Sequence, residues 1–334
     1  MNRHQRGYIL WRRRSGAAQK ENTRKMPSRK LFTLLVSLGL LAATGLPQTA
    51  SAPLDQRIAH YDPSRMRPST AVHSGAGGMQ FGNLVDVKYV TGNLIFFQRG
   101  VLNPHSSIGE HYHNRCEEMF VILDGEAEFT IDSHTSLIKG PAAVPDRMGH
   151  AHAIYNPTDK PVQWMNINVG IGPNYDAFNL GDGRVGVTLD PIPQFPSMRF
   201  DRALLRPMDA MDGGKGTAQY RRALEPTIFS TPWAYVDHLV VPRGASVGPR
   251  ALPSISEVYY VMSGEGSVKI GEETAAIKAG DGIPVDINQS RSFTQTGSEP
   301  LELMIVGVAK DMDAKIALMN AKPPARGGRG AGSR

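Results

Sequence analysis

The chain repeats itself at a fixed interval, and no other feature of its 334 residues limits the choice of fold so strongly. Val258-Tyr259-Tyr260-Val261-Met262-Ser263-Gly264 echoes Met119-Phe120-Val121-Ile122-Leu123-Asp124-Gly125, and the two glycines stand 139 residues apart. The same step carries Gly109 to Gly248, Glu118 to Glu257, Pro145 to Pro284 and Pro161 to Pro300. A constant step leaves little room for net insertions, so one domain is expected twice. Each copy reads as β-structure. Apolar runs are short, and 35 glycines and 24 prolines punctuate them. Strand candidates in the first copy are 84–90, 94–102, 117–123, 127–131 and 162–169. Asp124-Gly125 and Ser263-Gly264 read as hairpin turns. The clearest helix is 311–320, which should pack on the second copy or on a partner subunit.

The first copy carries a run rich in metal-ligating side chains, Gly109-Glu110-His111-Tyr112-His113-Asn114-Arg115-Cys116-Glu117-Glu118. Two histidines at i and i+2 share one face of a strand. Glu118, past a short turn, can return to that face, and His152 in Gly149-His150-Ala151-His152 can supply a fourth ligand. Three imidazoles and one carboxylate suit one divalent first-row metal such as Mn, Fe, Co, Ni or Zn, and not Ca or Mg. Mn or Fe is the favoured pair, with Zn or Ni as alternatives.

This spacing resembles the cupin family. The first cupin motif is a glycine, two histidines flanking one residue, a glutamate after four more and a glycine after six; here His111, His113, Glu118 and Gly125 match it. The second motif is matched by Pro145, Gly149, His152 and Asn156, with the Pro-to-Gly gap two residues longer than usual. The spacing from Gly149 and Asn156 favours His152 over adjacent His150. The resemblance implies an all-β chain of two tandem cupin barrels, the double-stranded β-helix or jelly-roll, as in bicupins. It also implies ligands that project into a barrel lumen. The expected layout is a leader at 1–52, an arm at 53–80 and barrel 1 at 81–170. A linker follows at 171–217, then barrel 2 at 218–310, and a helix with a Gly/Arg tail at 311–334. The arm could reach a neighbouring barrel and so build a homo-oligomer, and the stretch 170–196 reads as a linker or a lid.

The same step tests the second copy. His111 maps to Arg250, His113 to Leu252 and His152 to Arg291; only the carboxylate survives, as Glu257. Arginine stays protonated and offers no lone pair, so barrel 2 is read as metal-free. Arg250, Glu257 and Arg291 form either a structural ion pair or an anion pocket. In barrel 1, Phe120 and Ile122 share the Glu118 face. Asn166, Asn168 and Trp164 share a face of the last strand, which points either inward, to orient a substrate, or to solvent. His150 is a candidate acid or base beside the metal. Arg99 and Arg147 are candidates for an anionic substrate or for surface salt bridges. Cys116, the sole cysteine, reads as a packed thiol with no disulfide partner in the chain.

Charge and leader bound the partners. Residues 1–30 hold 10 Lys or Arg and one acidic residue, while the whole chain is +6, so the remainder is mildly acidic. Nothing there argues for nucleic acid. An apolar run at 31–43 follows the basic stretch and precedes Ala50-Ser51-Ala52, the anatomy of a secretory leader. The mature protein is therefore expected in the periplasm or outside the cell, free of the membrane; an uncleaved anchor or a start at Met26 are the alternatives. The cupin fold hosts dioxygenases, decarboxylases, isomerases, lyases and binding proteins, so the fold does not choose among them. Bicupin oxalate decarboxylases use manganese in both barrels, whereas iron bicupin dioxygenases of aromatic acids often keep one working metal. The expected function is therefore a metal-dependent, dioxygenase-like oxidoreductase on a small organic or aromatic acid. The alternatives are an isomerase or lyase on a sugar acid, or a metal- or ligand-binding protein.

Overall fold

The computed structural model describes residues 52–321. The leader and most of the Gly/Arg tail lie outside the described residues. The described chain is two all-β units of antiparallel strands. In the first, a seven-stranded sheet runs Arg67–Thr70, Gly78–Asn83, Leu94–Leu102, Val162–Gly170, Cys116–Ile122, Ala142–Asp146, Met198–Arg199. It faces a five-stranded sheet ordered Phe178–Asn179, Ser107–Tyr112, His152–Tyr155, Glu126–Ile131, His134–Lys139. The second unit pairs a six-stranded sheet with a four-stranded one. Its central strands Trp233–Val241, Leu301–Ala309 and Ile255–Ser263 correspond to Leu94–Leu102, Val162–Gly170 and Cys116–Ile122.

The 139-residue step reaches further than the sequence suggested. It carries the strand Arg67–Thr70 onto Arg206–Asp209, and the 3-10 turn Val72–Ser74 onto Met211–Gly213. The segments read as arm and linker therefore supply the opening hairpin of each barrel. Arg67–Thr70 pairs with Gly78–Asn83, which pairs with Leu94–Leu102 of the same barrel. Sequence patterning missed this because the hairpin is half-exposed and lacks a clean apolar alternation. The stretch 84–90 is not a strand. Leu84 and Val85 both donate to the Phe97 carbonyl. Asp86 then caps a 3-10 turn over Val87–Tyr89 by accepting from the Lys88 amide. That side chain-to-backbone bond competes with a ladder and wins.

The two barrels share a seam. Period-two alternation sends one face of each central strand into its own lumen and the other outward. The outward faces, with Phe97, Met165, Ile167, Trp233, Met304 and Val306 among them, form one buried cluster. Glu117, next in chain to Glu118, points to this seam. Its buried carboxylate accepts from the amides of Ser230 and Thr231 and from the Thr231 hydroxyl. The reciprocal latch is Asp286, which accepts from the Thr91 amide and hydroxyl. The helix Met312–Asn320 is capped by Asp311 and packs on the second barrel. Its buried Lys315 donates to the carbonyls of Phe229 and Thr231, and burial lowers the affinity of that ammonium for its proton.

Candidate metal centre

Two paired strands of the five-stranded sheet and one strand of the facing sheet bring the four sequence-predicted ligands together. His111 sits on Ser107–Tyr112, directly opposite His152 on His152–Tyr155. The register slips between Ile108 and His111, and such a bulge re-aims the side chains that follow. His113 lies just past the strand end, and Glu118 comes from Cys116–Ile122. Nε2 of His113 is 3.6 Å from Glu118 Oε1, and Nε2 of His152 is 3.6 Å from Oε2. Nε2 of His111 is 4.0 Å from Oε2. All four donor atoms lie within 4.8 Å of one another, and all four residues are buried. Separations of this size suit donors each about 2.1 Å from one shared centre.

The imidazoles are oriented from behind. Nδ1 of His111 donates to the Gly109 carbonyl at 2.8 Å, His113 to the Asp176 carbonyl, and His152 to the His150 carbonyl at 3.4 Å. A proton on each Nδ1 leaves a lone pair on each Nε2, aimed inward. Those three buried Nε2 atoms have no hydrogen-bond partner among the described residues. Buried polar atoms are rarely left so, and an oriented Nε2 backed by a carbonyl is how histidine binds metal. The donor set therefore fits a divalent metal.

Glu118 is held from the opposite wall. Asn168 stands across from it in the ladder, and Asn166 is the diagonal neighbour on the same face. Asn166 Nδ2 donates to Oε2 at 2.9 Å and Asn168 Nδ2 to Oε1 at 3.2 Å. The asparagine face thus points into the lumen, and Ile167 and Val169 point to the seam. The amide nitrogens position a ligand, while the buried amide oxygens of both residues have no partner among the described residues and Asn166 reaches the cavity. Outer partners of this kind are worth about 10–100-fold in metal affinity. Asn168→Ala should weaken metal binding by roughly that factor with the fold intact, measured by competition with a chelator.

Burial and mutual contacts set the charges within the cluster. Burial pushes His111 down to about 2. Burial also works against a proton on His113, but contacts with Cys116 and Glu118 outweigh it and raise that imidazole. Burial works against the Glu118 anion too, yet the imidazoles of His113 and His152 hold the carboxyl well below the usual range. Asp146, across the ladder from Glu118, is buried with neither carboxylate oxygen bonded, and burial pushes it up to about 7.

Above the cluster opens a cavity of about 310 Å³, walled by Met79, Phe81, Phe96, Phe120 and Trp164 and reaching His111, Glu118 and Asn166. Two residues that line this cavity were not anticipated. His73, from the opening hairpin, stacks on His111 with ring centroids 3.7 Å apart and planes within 8°. Tyr175, from the segment after Val162–Gly170, bonds His73 Nε2 at 3.3 Å. Both come from stretches without a periodic signal. The close approach of the His73 turn depends on glycine: a Cβ on Gly109 would lie 2.1 Å from the His73 carbonyl. Asp176 was also missed; its carboxylate accepts from the amides of Asn114 and Arg115, capping the turn between the ligand strands.

Other candidates fall elsewhere. Arg99 is on the seam side of its strand, opposite Met165, and its guanidinium donates to Gln163, Tyr260 and the Gly100 carbonyl. It faces away from the cavity, so the substrate-binding role read for it is withdrawn. His150 turns outward to Asp132, and only its backbone carbonyl serves the site, which removes it as an acid or base there. Arg147 is exposed. Cys116 is buried, with Asn168 Nδ2 3.3 Å from its sulfur. The segment 170–196 covers the first barrel: Phe178–Asn179 pairs with Tyr112 and His111, and Leu180 donates to the Glu110 carbonyl.

In the second barrel the corresponding place is filled. Glu257 accepts from Tyr235 at 2.7 Å, Tyr259 at 2.6 Å, Arg250 at 2.9 Å and also from Arg291. Asp212, one step of 139 beyond His73, pairs with Arg250 at 3.4 Å just as His73 stacks on His111. The space left there is about 20 Å³. The carboxylate and both guanidiniums satisfy one another, which is the structural alternative.

Comparisons with known proteins agree with this fold. A family model described as a cupin domain matches residues 98–168 and again 238–307. The oxalate-binding protein of Thermotoga maritima is 31% identical over 96 residues, 29% of this chain and 79% of that protein. The oxalate decarboxylase of Lactobacillus farciminis, solved as a formate complex, superposes with a TM-score of 0.54 at 14% identity, covering 76% of this chain and 86% of that one. A Bacillus subtilis oxalate decarboxylase, solved in work on its Mn(II) centres, gives 0.52 at 15% identity, covering 76% and 77%. At these identities the structural likeness speaks to fold alone.

Proposed function

The chain belongs to the cupin family, with two of its domains in tandem, and from that membership we propose that it is a metal-dependent oxidoreductase acting on a small organic or aromatic acid. The observation that carries the reading is the set of three orphaned Nε2 atoms around Glu118 at the floor of an apolar cavity. His111, His113, Glu118 and His152 would hold the metal, with Mn or Fe favoured. The metal would supply Lewis-acid polarisation of a bound oxygen donor and, being redox-active, activation of dioxygen. The chain's own residues do the rest. Carbonyls behind the imidazoles fix their tautomers, Asn166 and Asn168 hold the carboxylate, and the aromatic walls exclude water and position the organic part of the ligand. The second barrel acts structurally, through the seam. The basic leader and its apolar run are the ground for placing the protein outside the cytoplasm.

A second reading is favoured by the 31% identity to the oxalate-binding protein: non-redox turnover, or simple binding, of a small dicarboxylate. An oxygen electrode separates the two. The protein loaded with Mn or Fe should consume oxygen only when an organic acid from a panel is added, and Glu118→Gln should lose that uptake. Turnover without oxygen uptake would favour a lyase or isomerase, and a filled site with no turnover would leave a binding protein.

A further inference from the structure

We propose that the first-barrel cavity selects a flat, ring-bearing ligand with a single negative charge and a hydrogen-bond donor, read at the mouth by Tyr175, and that it disfavours small dianions such as oxalate. The inference rests on the reading that the His111 cluster holds a divalent metal.

Size and wall chemistry come first. A water molecule's share of liquid is about 30 Å³, so a space of about 310 Å³ corresponds to roughly ten waters. Oxalate on the metal would leave most of that volume as water against Met79, Phe81, Phe96, Phe120 and Trp164. An aromatic ring displaces that water and meets ring faces and edges, which favours it both by burial and by geometry.

Charge points the same way. Among the described residues, neither lysine nor arginine lines the cavity. Arg99, the buried guanidinium of this barrel, belongs to the seam. With neutral imidazoles, a divalent cation and the Glu118 carboxylate leave at most one net positive charge, and the buried Asp146 across the ladder adds none. A monoanion neutralises it. A dianion leaves a net negative charge in apolar surroundings, with no cation to pair it, and such a charge is costly to bury.

The mouth supplies the polar reading. Nδ1 of His73 donates to Asn179 Oδ1 at 2.6 Å, which leaves Nε2 as an acceptor. Tyr175 donates its hydroxyl proton to that Nε2 at 3.3 Å. The Tyr175 oxygen therefore offers acceptor capacity, and the group it recognises is a donor such as a phenol or alcohol. The Tyr175 ring lies 5.6 Å from Phe96 and 5.2 Å from His113, so it spans the aromatic wall and the ligand cluster. The filled second barrel has no counterpart to this tyrosine: one step of 139 from Tyr175 falls within the helix Met312–Asn320.

The test is calorimetric titration of the full Mn-loaded protein with salicylate and with oxalate, with metal content measured after each run so that stripping by oxalate is not scored as binding. Salicylate should bind at least about 10-fold more tightly than oxalate. Tyr175→Phe should weaken salicylate about 5-fold or more while oxalate affinity and metal content stay unchanged. Equal or tighter oxalate binding overturns the proposal, as does absence of salicylate binding to loaded protein, or an equal loss for both ligands in Tyr175→Phe. Failure to load metal overturns the metal reading itself, and this inference with it, and is distinguished by the metal assay alone.

Discussion

Replacing His111 and His113 together by alanine takes the protein from one bound divalent metal per chain to none, while the far-ultraviolet circular dichroism of the metal-free protein stays that of the parent. Four-ligand structural zinc sites bind with roughly 10–16 kcal/mol and Mn or Fe bind more weakly, so each ligand here carries on the order of 3 kcal/mol. A single His111→Ala should therefore cost about 10²–10³-fold in affinity, and the double change should empty the site at any practical metal concentration. The fold survives because the barrel's apolar cluster around Phe120, Phe129 and Trp164 lies beside the site and does not depend on it. Metal loading should also be pH-dependent. In the metal-free cluster His113 binds a proton more tightly than an ordinary histidine, held by Cys116 and Glu118 against the effect of burial. That proton must leave when metal binds, so affinity rises with pH, by about tenfold per unit where one proton is displaced, and falls as the solution is acidified. Metal retained in the double variant, or affinity flat across pH, would remove the assignment.

Arg291→Met in the second barrel should be the most destabilising single change among the residues discussed, at about 3–5 kcal/mol, because it strips a buried carboxylate of a charged partner. Glu257 is 1% exposed and keeps only Arg250 and two tyrosine hydroxyls once Arg291 is gone. Arg291 also loses its bonds to the Tyr259 oxygen and the Arg250 carbonyl, leaving both without that donor. Chemical denaturation reads the loss, and metal content of the first barrel should be unchanged. Replacing both members, Glu257→Leu with Arg291→Met, should be milder than the single change, since a paired buried charge is removed whole. A cost below about 1 kcal/mol for Arg291→Met would overturn the structural role assigned to the Arg291–Glu257 pair.

How far the sequence alone reaches is clearest residue by residue. The step of 139 was visible in glycines and prolines because turns demand particular residues locally: Gly125 and Gly264 both have positive φ, at 70° and 81°. The ligand set was visible because His111, His113, Glu118 and His152 stand at the spacing of the cupin motifs, although His113 falls just past the strand end. The loss of metal in the second copy followed from the same alignment, since an arginine at position 250 or 291 cannot donate a lone pair.

Alternation also has a limit, and the corrections come from it. It divides the strand Val162–Gly170 into two faces but does not say which one is the lumen. Only packing of the second barrel against Ile167 and Val169 decides that Asn166 and Asn168 point at Glu118. Arg99 was misplaced for the same reason: its strand has two buried faces, and the one it occupies meets the other barrel. His73 and Tyr175 reach the site from 38 residues before His111 and 62 residues after His113, along chain whose local pattern carries no trace of that meeting. Residue identity and spacing thus determined that two barrels form and that one holds a ligand cluster, since both are properties of neighbours along the chain. Which faces turn inward, and which distant side chains close the cavity, was decided by tertiary packing, because burial is a property of what lies across space.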